Sequence, residues 1–228
     1  MNSAIIVAAG RGTRMGPDVD KLFLPVAGRP VVAHTWERFD RSPEIHEVVL
    51  VVRAGMEPAF AELAGLHGFR KPHRFVPGGA ERQDSVGHGL AAIDPSARLV
   101  AIQDGARPCT AAAVISRCLA AAEQAGAAVA AQRVTDTLKE SDGGHRVARH
   151  LDRSRLWAVQ TPQCFRRDII QRALAAVRES GRQITDDTAA CELIGQPVEL
   201  VECPEPNPKV TQPADVPWIE FLLRSTCG

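Results

Sequence analysis

The densest set of residues able to do chemistry lies near the start of the chain, in AAGRGTRMGPDVDKLFLPV (residues 8–26). Gly10 and Gly12 flank Arg11, and Arg14 and Lys21 follow, directly after apolar Ala4-Ile5-Ile6-Val7. Glycine lets a backbone approach an anion closely, and successive N–H groups can form an anion-binding concavity. Arginine offers a forked donor and lysine a point charge, both suited to phosphoryl oxygens. Two familiar nucleotide motifs do not fit. A dinucleotide GxGxxG needs glycine at 15, where Met15 stands, and the second apolar run ends Val51-Val52-Arg53 without an acidic residue. A GxxxxGK[ST] loop fails because its glycine falls at 16 and Pro17 follows. A glycine pair alone reads as a solvated turn; three cations behind a strand favour an anion site.

Further candidates lie along the chain. Pro77-Gly78-Gly79-Ala80-Glu81-Arg82 leads into a helix with Ser85 in its first turn, where backbone donors can read a base or a phosphate. Taken alone it reads slightly better as an ordinary glycine turn with a helix cap. Asp104-Gly105-Ala106-Arg107-Pro108 follows an apolar run. A carboxylate there is costly unless it accepts from a ribose hydroxyl, supports a metal ion, or simply pairs with Arg107. Thr135–Lys139, Arg153, Thr161-Pro162-Gln163 after a short strand-like segment with Trp157, and Asn207-Pro208-Lys209-Val210-Thr211 add polar and cationic groups. The histidines lack metal-ligand spacing, and no Ser/His/Asp or Cys/His set is recognisable.

The elements that must position these loops are legible. Strands are expected at Ala4–Ala8, Glu47–Val52, His73–Val76, Leu99–Gln103, Ala127–Ala131 and Pro197–Val201. Helices are expected at Pro30–Phe39, Met56–Leu66, Arg82–Ala92, Ala111–Gln124, Arg166–Val177, Asp187–Ile194 and Ala214–Leu223. Such alternation predicts an α/β fold with a mostly parallel, doubly wound (Rossmann-like) sheet, whose ligands bind beyond the carboxyl ends of the strands. Val134–Asp152 breaks the pattern: it is polar, carries Gly143-Gly144, and reads as a projecting β-arm or a surface loop.

Bulk composition sets the limits. The 228 residues suit a single domain, 1–228, with the arm at 134–152 inside it. Lys+Arg and Asp+Glu both total 27, so the balanced charge argues against a nucleic-acid or membrane-surface binder. Cys109, Cys118, Cys164, Cys191, Cys203 and Cys227 show no CxxC spacing and read as free thiols of a reducing compartment. With no apolar run near the roughly 20 residues that span a bilayer and no signal-peptide pattern, a cytoplasmic protein is expected.

Taken in order, AAGRGTRMG with DKLFLPVAGRPVVAHT, GGAERQDSV, DGARP, TDTLK, LDRSRLW, TPQ, ITDDTAACE and NPKVTQPAD resemble one family, the 2-C-methyl-D-erythritol 4-phosphate cytidylyltransferases of the non-mevalonate isoprenoid pathway. Each segment is weak alone; the ordered set is specific and spans nearly the whole chain. The resemblance implies a nucleotidyltransferase-type α/β domain whose arm is exchanged across a homodimer. It implies transfer of a cytidylyl group from CTP to the sugar phosphate with Mg²⁺, releasing pyrophosphate. It places Ala8, Ala9, Gly10 and Gly12 along CTP, and Gly78, Gly79 and Ser85 around the cytosine. Asp104 and Ala106 would lie by the ribose, and Arg14 and Lys21 would clamp the triphosphate. Arg153 and Lys209 would hold the acceptor phosphate, with Thr137 and Thr161 nearby. Ribitol-5-phosphate cytidylyltransferase is the alternative, with the discriminating contacts in Thr135 to Arg155. A non-catalytic nucleotide sensor on the same fold would be expected to have lost the cations that stand at 14, 21, 153 and 209.

Overall fold

The computed structural model describes residues 1–10, 12 and 20–225; Arg11 and Arg14 of the opening segment, and Cys227, lie outside the described residues. Three strands, β1 (Asn2–Ala8), β4 (Glu47–Val52) and β6 (Leu99–Asp104), are buried almost throughout, as the Val/Ile-rich runs require of strands covered on both faces. They pair in parallel, with Ile5 opposite Val49 on one side and Ile102 on the other. Around them the sheet is completed by β5 (His73–Pro77), β7 (Ala127–Arg133), β10 (Trp157–Arg166) and β11 (Glu199–Glu202), in the order β11-β7-β10-β6-β1-β4-β5.

Alternation along β1 feeds two separate cores. Ala4, Ile6 and Ala8 face one, with Trp36 and Phe39 from α1 (Val31–Asp40), Phe60 from α2 (Glu57–His67) and Ile115 from α4 (Ala112–Ala125). Ile5 faces the other, with Val86 from α3 (Arg82–Ala92), Ile170 from α5 (Arg167–Ser180) and Ala190 from α6 (Asp187–Leu193). This is the doubly wound arrangement expected from the sequence. The chain also makes a small ribbon of β2 (Pro25–Val26) and β3 (Arg29–Pro30), and ends on α7 (Asp215–Ser225).

The sheet reverses its winding at β1, whose neighbours β4 and β6 lie on opposite sides, so a crevice opens beyond the carboxyl ends of β1 and β6. Ala9-Gly10 and Gly105-Ala106 leave the sheet at that point.

One strand departs from expectation. β10 runs antiparallel to both β6 and β7, and it contains Thr161-Pro162-Gln163, which the sequence had placed after a short strand. Proline cannot donate to a ladder and argues against a central strand. Here the pairing with β7 breaks register between Val159 and Gln163, and Pro162 occupies that irregularity. Between β7 and β10 the chain forms a separate hairpin, β8 (Lys139–Ser141) paired with β9 (Val147–His150), every residue of which is exposed.

Candidate functional site

Three loops and one late segment enclose a cavity of about 540 Å³ at the crevice. Val7, Ala8, Ala9 and Gly10 come from the end of β1; Gly79, Ala80, Glu81, Arg82 and Ser85 from the β5–α3 turn; Asp104, Gly105 and Ala106 from the end of β6. Lys21 and Lys209 complete the lining with Leu22.

The first two loops touch directly, and that contact dictates glycine at 78. A Cβ on Gly78 would stand 2.3 Å from Ala9 Cβ and 3.1 Å from Ser85 Oγ. Ser85 braces the turn from inside, accepting from Gly79 N at 3.1 Å and donating to Glu81 O at 3.2 Å. Glu81 and Asp84 form a reciprocal capping box at the start of α3. Gly12 plays a different part: its φ of +63° is in the left-handed region, and a Cβ there would meet the Lys21 alkyl chain at 2.9 Å. Lys21 is thereby laid along the opening loop, and its Nζ donates to Val210 O at 3.2 Å.

Asp104 is the electrostatic centre. Lys209 Nζ lies 2.9 Å from Oδ2, Arg107 Nε 3.4 Å from Oδ2, and Arg82 Nε 3.5 Å from Oδ1. Burial alone would push this carboxyl up; Lys209, Arg82 and Arg107 more than reverse it and hold it at about 2. The sequence left open whether Asp104 pairs with Arg107 or serves a ligand. It does pair, and two further cations share it.

The segment carrying Lys209 is fastened to the same place. Val210 N donates to Ala106 O at 2.9 Å, and buried Asn207 receives Arg107 Nη1 on its carbonyl at 2.7 Å. Asn207 Nδ2 in turn donates to Thr161 O at 2.9 Å. Thr161 Oγ1 accepts the Asp104 N–H at 3.1 Å, so this threonine supports the end of β6 as well as facing a ligand space.

That space is a second cavity of about 690 Å³, lined by Arg107, Gln160, Thr161, Gln163 and the start of α6 (Thr185, Asp186, Thr188). Arg82, Asp104 and Lys209 line both cavities and form the partition between them. Behind the partition Arg82 Nη1 bonds Asp187 Oδ2 at 2.8 Å. Asp187 is fully buried, and burial pushes its carboxyl up against the opposing pull of Arg82.

Of the residues expected from sequence, Ala8, Ala9, Gly10, Lys21, Gly79, Ser85, Asp104, Ala106 and Lys209 line the first cavity, and Thr161 the second. Gly78 and Gly12 stand one layer behind, as packing positions. Thr137 and Arg153 line neither; Arg153 is exposed and donates to Thr135 O within the arm. Sequence reasoning assigned no role to Arg82 or Asp187. Their signal is a basic residue opening one helix and an acidic residue in the first turn of another, a pattern common enough to pass unnoticed.

Among the described residues there is no group of three or more His, Cys, Asp or Glu able to hold a metal ion. The carboxylates at the first cavity are Asp104, engaged by three cations, and Glu81, engaged in capping. Also among the described residues, no helix is long and apolar enough to cross a membrane. The five described cysteines are free, and burial lifts the Cys191 thiol to about 12.

The sequence profile of the 2-C-methyl-D-erythritol 4-phosphate cytidylyltransferases matches residues 2–225. The chain is 44% identical to the cytidylyltransferase of that name from Desulforamulus reducens, over 98% of this chain and 97% of that protein. It is 41% identical to the one from Pelotomaculum thermopropionicum, over 99% and 95%. A crystal structure of the Thermus thermophilus enzyme superimposes with a TM-score of 0.80 at 34% identity, covering 98% of this chain and all of that one. The corresponding synthase from Anaerococcus prevotii gives 0.86 at 29%, over 97% and 95%. These matches do not favour the ribitol phosphate alternative. A phosphate-suited crevice at the switch point of a doubly wound sheet and matches over almost the full length of chain and relatives agree: this chain belongs to the 2-C-methyl-D-erythritol 4-phosphate cytidylyltransferase family.

Proposed function

We propose that this chain transfers the cytidylyl group of CTP to 2-C-methyl-D-erythritol 4-phosphate, with CTP in the 540 Å³ cavity and the acceptor in the 690 Å³ cavity across the partition. The observation that carries this reading is the partition itself. Three residues, two of them cationic, are shared by both spaces, so a phosphate entering from one side meets the α-phosphorus of CTP at a place already lined with positive charge. In-line attack needs no protein nucleophile. The acceptor phosphate oxygen forms a bond to the α-phosphorus while the bond to the pyrophosphate oxygen breaks, and pyrophosphate carries away the electron pair.

The family resemblance supplies the roles, and the cavity linings support those of the described residues. The backbone of Ala8, Ala9 and Gly10 approaches the nucleotide; Gly79 and Ser85 enclose the base; Asp104 and Ala106 meet the ribose. Lys21, with Arg14 from the opening loop, neutralises the triphosphate, and Lys209 moves from Asp104 to the reacting phosphates. Catalysis comes from positioning and from stabilising charge on the pentacoordinate phosphorus. A Mg²⁺ ion fits as a companion of the triphosphate, held chiefly by phosphate oxygens and water, since the described carboxylates at the cavity are already engaged. When bound it supplies further neutralisation of the phosphate charge.

Thr137 and Arg153 are assigned to the acceptor through a second copy of the chain. Thr137 stands in the arm at 134–152 and Arg153 directly after it, and neither lines a cavity of its own protomer. The reading is of one domain, 1–228, forming a homodimer in which the arm at 134–152 completes the partner's acceptor site.

Pyrophosphate release tests this directly. The enzyme with CTP and Mg²⁺ is expected to release it with methylerythritol 4-phosphate and not with ribitol 5-phosphate; release with ribitol phosphate alone overturns the acceptor, and release with neither overturns the activity. The dimer is tested by mixing Arg153→Ala and Lys21→Ala protomers, each inactive alone. About a quarter of wild-type activity is expected to return, because half the dimers are mixed and each has one intact site. No recovery in verified mixed dimers rules out a shared site.

A further inference from the structure

Asp187 lies outside the roles described above, and Arg82 enters them only as one of the cations lining the partition, yet the pair is the most firmly built contact at that place. Arg82 opens α3, so its backbone belongs to the turn that encloses the base. Its side chain crosses the crevice and forks: Nη1 to Asp187 Oδ2 at 2.8 Å, Nε toward Asp104 Oδ1 at 3.5 Å. Asp187 lines neither cavity and is fully buried at the start of α6. Its own N–H donates to Gln163 Oε1 at 2.9 Å, and Gln163 Nε2 returns a bond to Asp186 Oδ2 at 2.9 Å. The Asp186 side chain caps α6 through Ala189 N.

Lys209 contrasts with this. Its side chain is about a third exposed, and among the described residues Asp104 is its one ion-pair partner. If Lys209 is to move to phosphate, Asp104 loses its nearest cation. A buried carboxylate stripped of its partners is costly and would hold the lysine back. Arg82 and Arg107 remain to satisfy it, provided Arg82 cannot follow the lysine toward the incoming phosphates. A guanidinium bonded to a carboxylate that ligand never reaches is held in that way.

We propose that Asp187 is a positioning residue: it anchors Arg82 across the partition, so that Arg82 keeps Asp104 in place while Lys209 leaves it for the reacting phosphates. This rests on the reading of Lys209 given under the proposed function. Asp187 touches no ligand; it acts through Arg82. A double charge-assisted fork of this kind needs arginine, because a lysine ammonium cannot reach two carboxylates on separate elements with one planar group.

The test is a double-mutant cycle on kcat and KM, with the wild-type enzyme as the control for the activity itself. Asp187→Asn, which is nearly isosteric, is expected to lower kcat by about 10- to 100-fold through misplacement of reacting groups, while KM for CTP changes by less than about threefold. Arg82→Lys is expected to show a comparable loss of kcat, and Asp187→Asn added to Arg82→Lys is expected to cost little more, because both changes break one device. A merely structural pair would lower the melting temperature without that split. Wild-type turnover with Asp187→Asn at an unchanged kcat overturns the inference, as do losses that multiply in the double variant. Should Asp187→Asn not fold, Arg82→Lys, which keeps a cation between the two acids, decides: a wild-type kcat in that variant overturns the proposal. A wild-type enzyme with no turnover refutes the proposed function instead, so the two failures are distinguishable.

Discussion

The partition and the projecting hairpin both gather charge, and they treat it in opposite ways. At the partition, Asp104 and Asp187 are buried and their cations converge from the β5–α3 turn, the end of β6 and the segment before α7. In the hairpin, Glu140 and Arg149 pair across the strands with both side chains about half exposed or more. Water screens the second pair and leaves it worth little, whereas removing Arg82 from the first leaves the buried charge of Asp187 without its ion-pair partner among the described residues. The difference shows what each region is for. Buried charge with convergent partners fixes a geometry; exposed charge keeps a projecting surface solvated until something else covers it.

The sharpest way to break this comparison is to remove the cations that face ligand. Lys209→Ala and Lys21→Ala are each expected to lower kcat by roughly 100- to 1,000-fold, by analogy with the loss of one oxyanion-hole donor, while circular dichroism and melting temperature stay close to wild type. A near-wild-type rate in Lys209→Ala shows that charge at the partition serves packing alone, and one in Lys21→Ala removes Lys21 from the triphosphate clamp.

Acid titration sharpens it further. Asp104 is held at about 2 in the folded protein against an ordinary 3.8, so its contribution to stability is present above about pH 4 and is lost as pH falls through about 2. The shift corresponds to about 2 kcal/mol. Denaturant midpoints measured from pH 5 to pH 2 are expected to show this loss in wild type and a shallower slope in Asp104→Asn; equal slopes would mean that Asp104 is not the group responsible. At the other extreme, Glu140→Ala in the hairpin is expected to change stability by less than about 0.5 kcal/mol. A larger stability loss would mean that the exposed pair holds the hairpin together.

Much of the fold was readable because strand burial writes itself into residue type. Residues 48–52 and 99–102 are continuous apolar runs, as strands buried on both faces must be, and the glycines at 78 and 79 announced a loop in close approach. β10 was not readable, since Pro162 contradicts a central strand unless one knows that the pairing breaks there. The lining of the first cavity was legible from the loop motifs, but the hold on Arg82 was not. A buried acid such as Asp187 looks like any first-turn aspartate until the fold carries it more than 100 residues along the chain to Arg82. Thr161 was legible as polar and near the site, not as the acceptor of the Asp104 N–H, which depends on how two antiparallel strands are set.

The place where the hairpin joins the sheet has its own consequence. The chain leaves β7 at Arg133 and re-enters as β10 at Trp157, residues that face each other in register, with the guanidinium 4.3 Å above the indole ring. Everything between them is therefore a cassette spliced into what would otherwise be an ordinary connection between neighbouring strands. Its length can change, or the segment be exchanged by grafting, without disturbing a pairing of the seven-stranded sheet beyond that clasp. The sheet that carries the two cavities and the hairpin that projects from it are on this account separately evolvable parts of one chain.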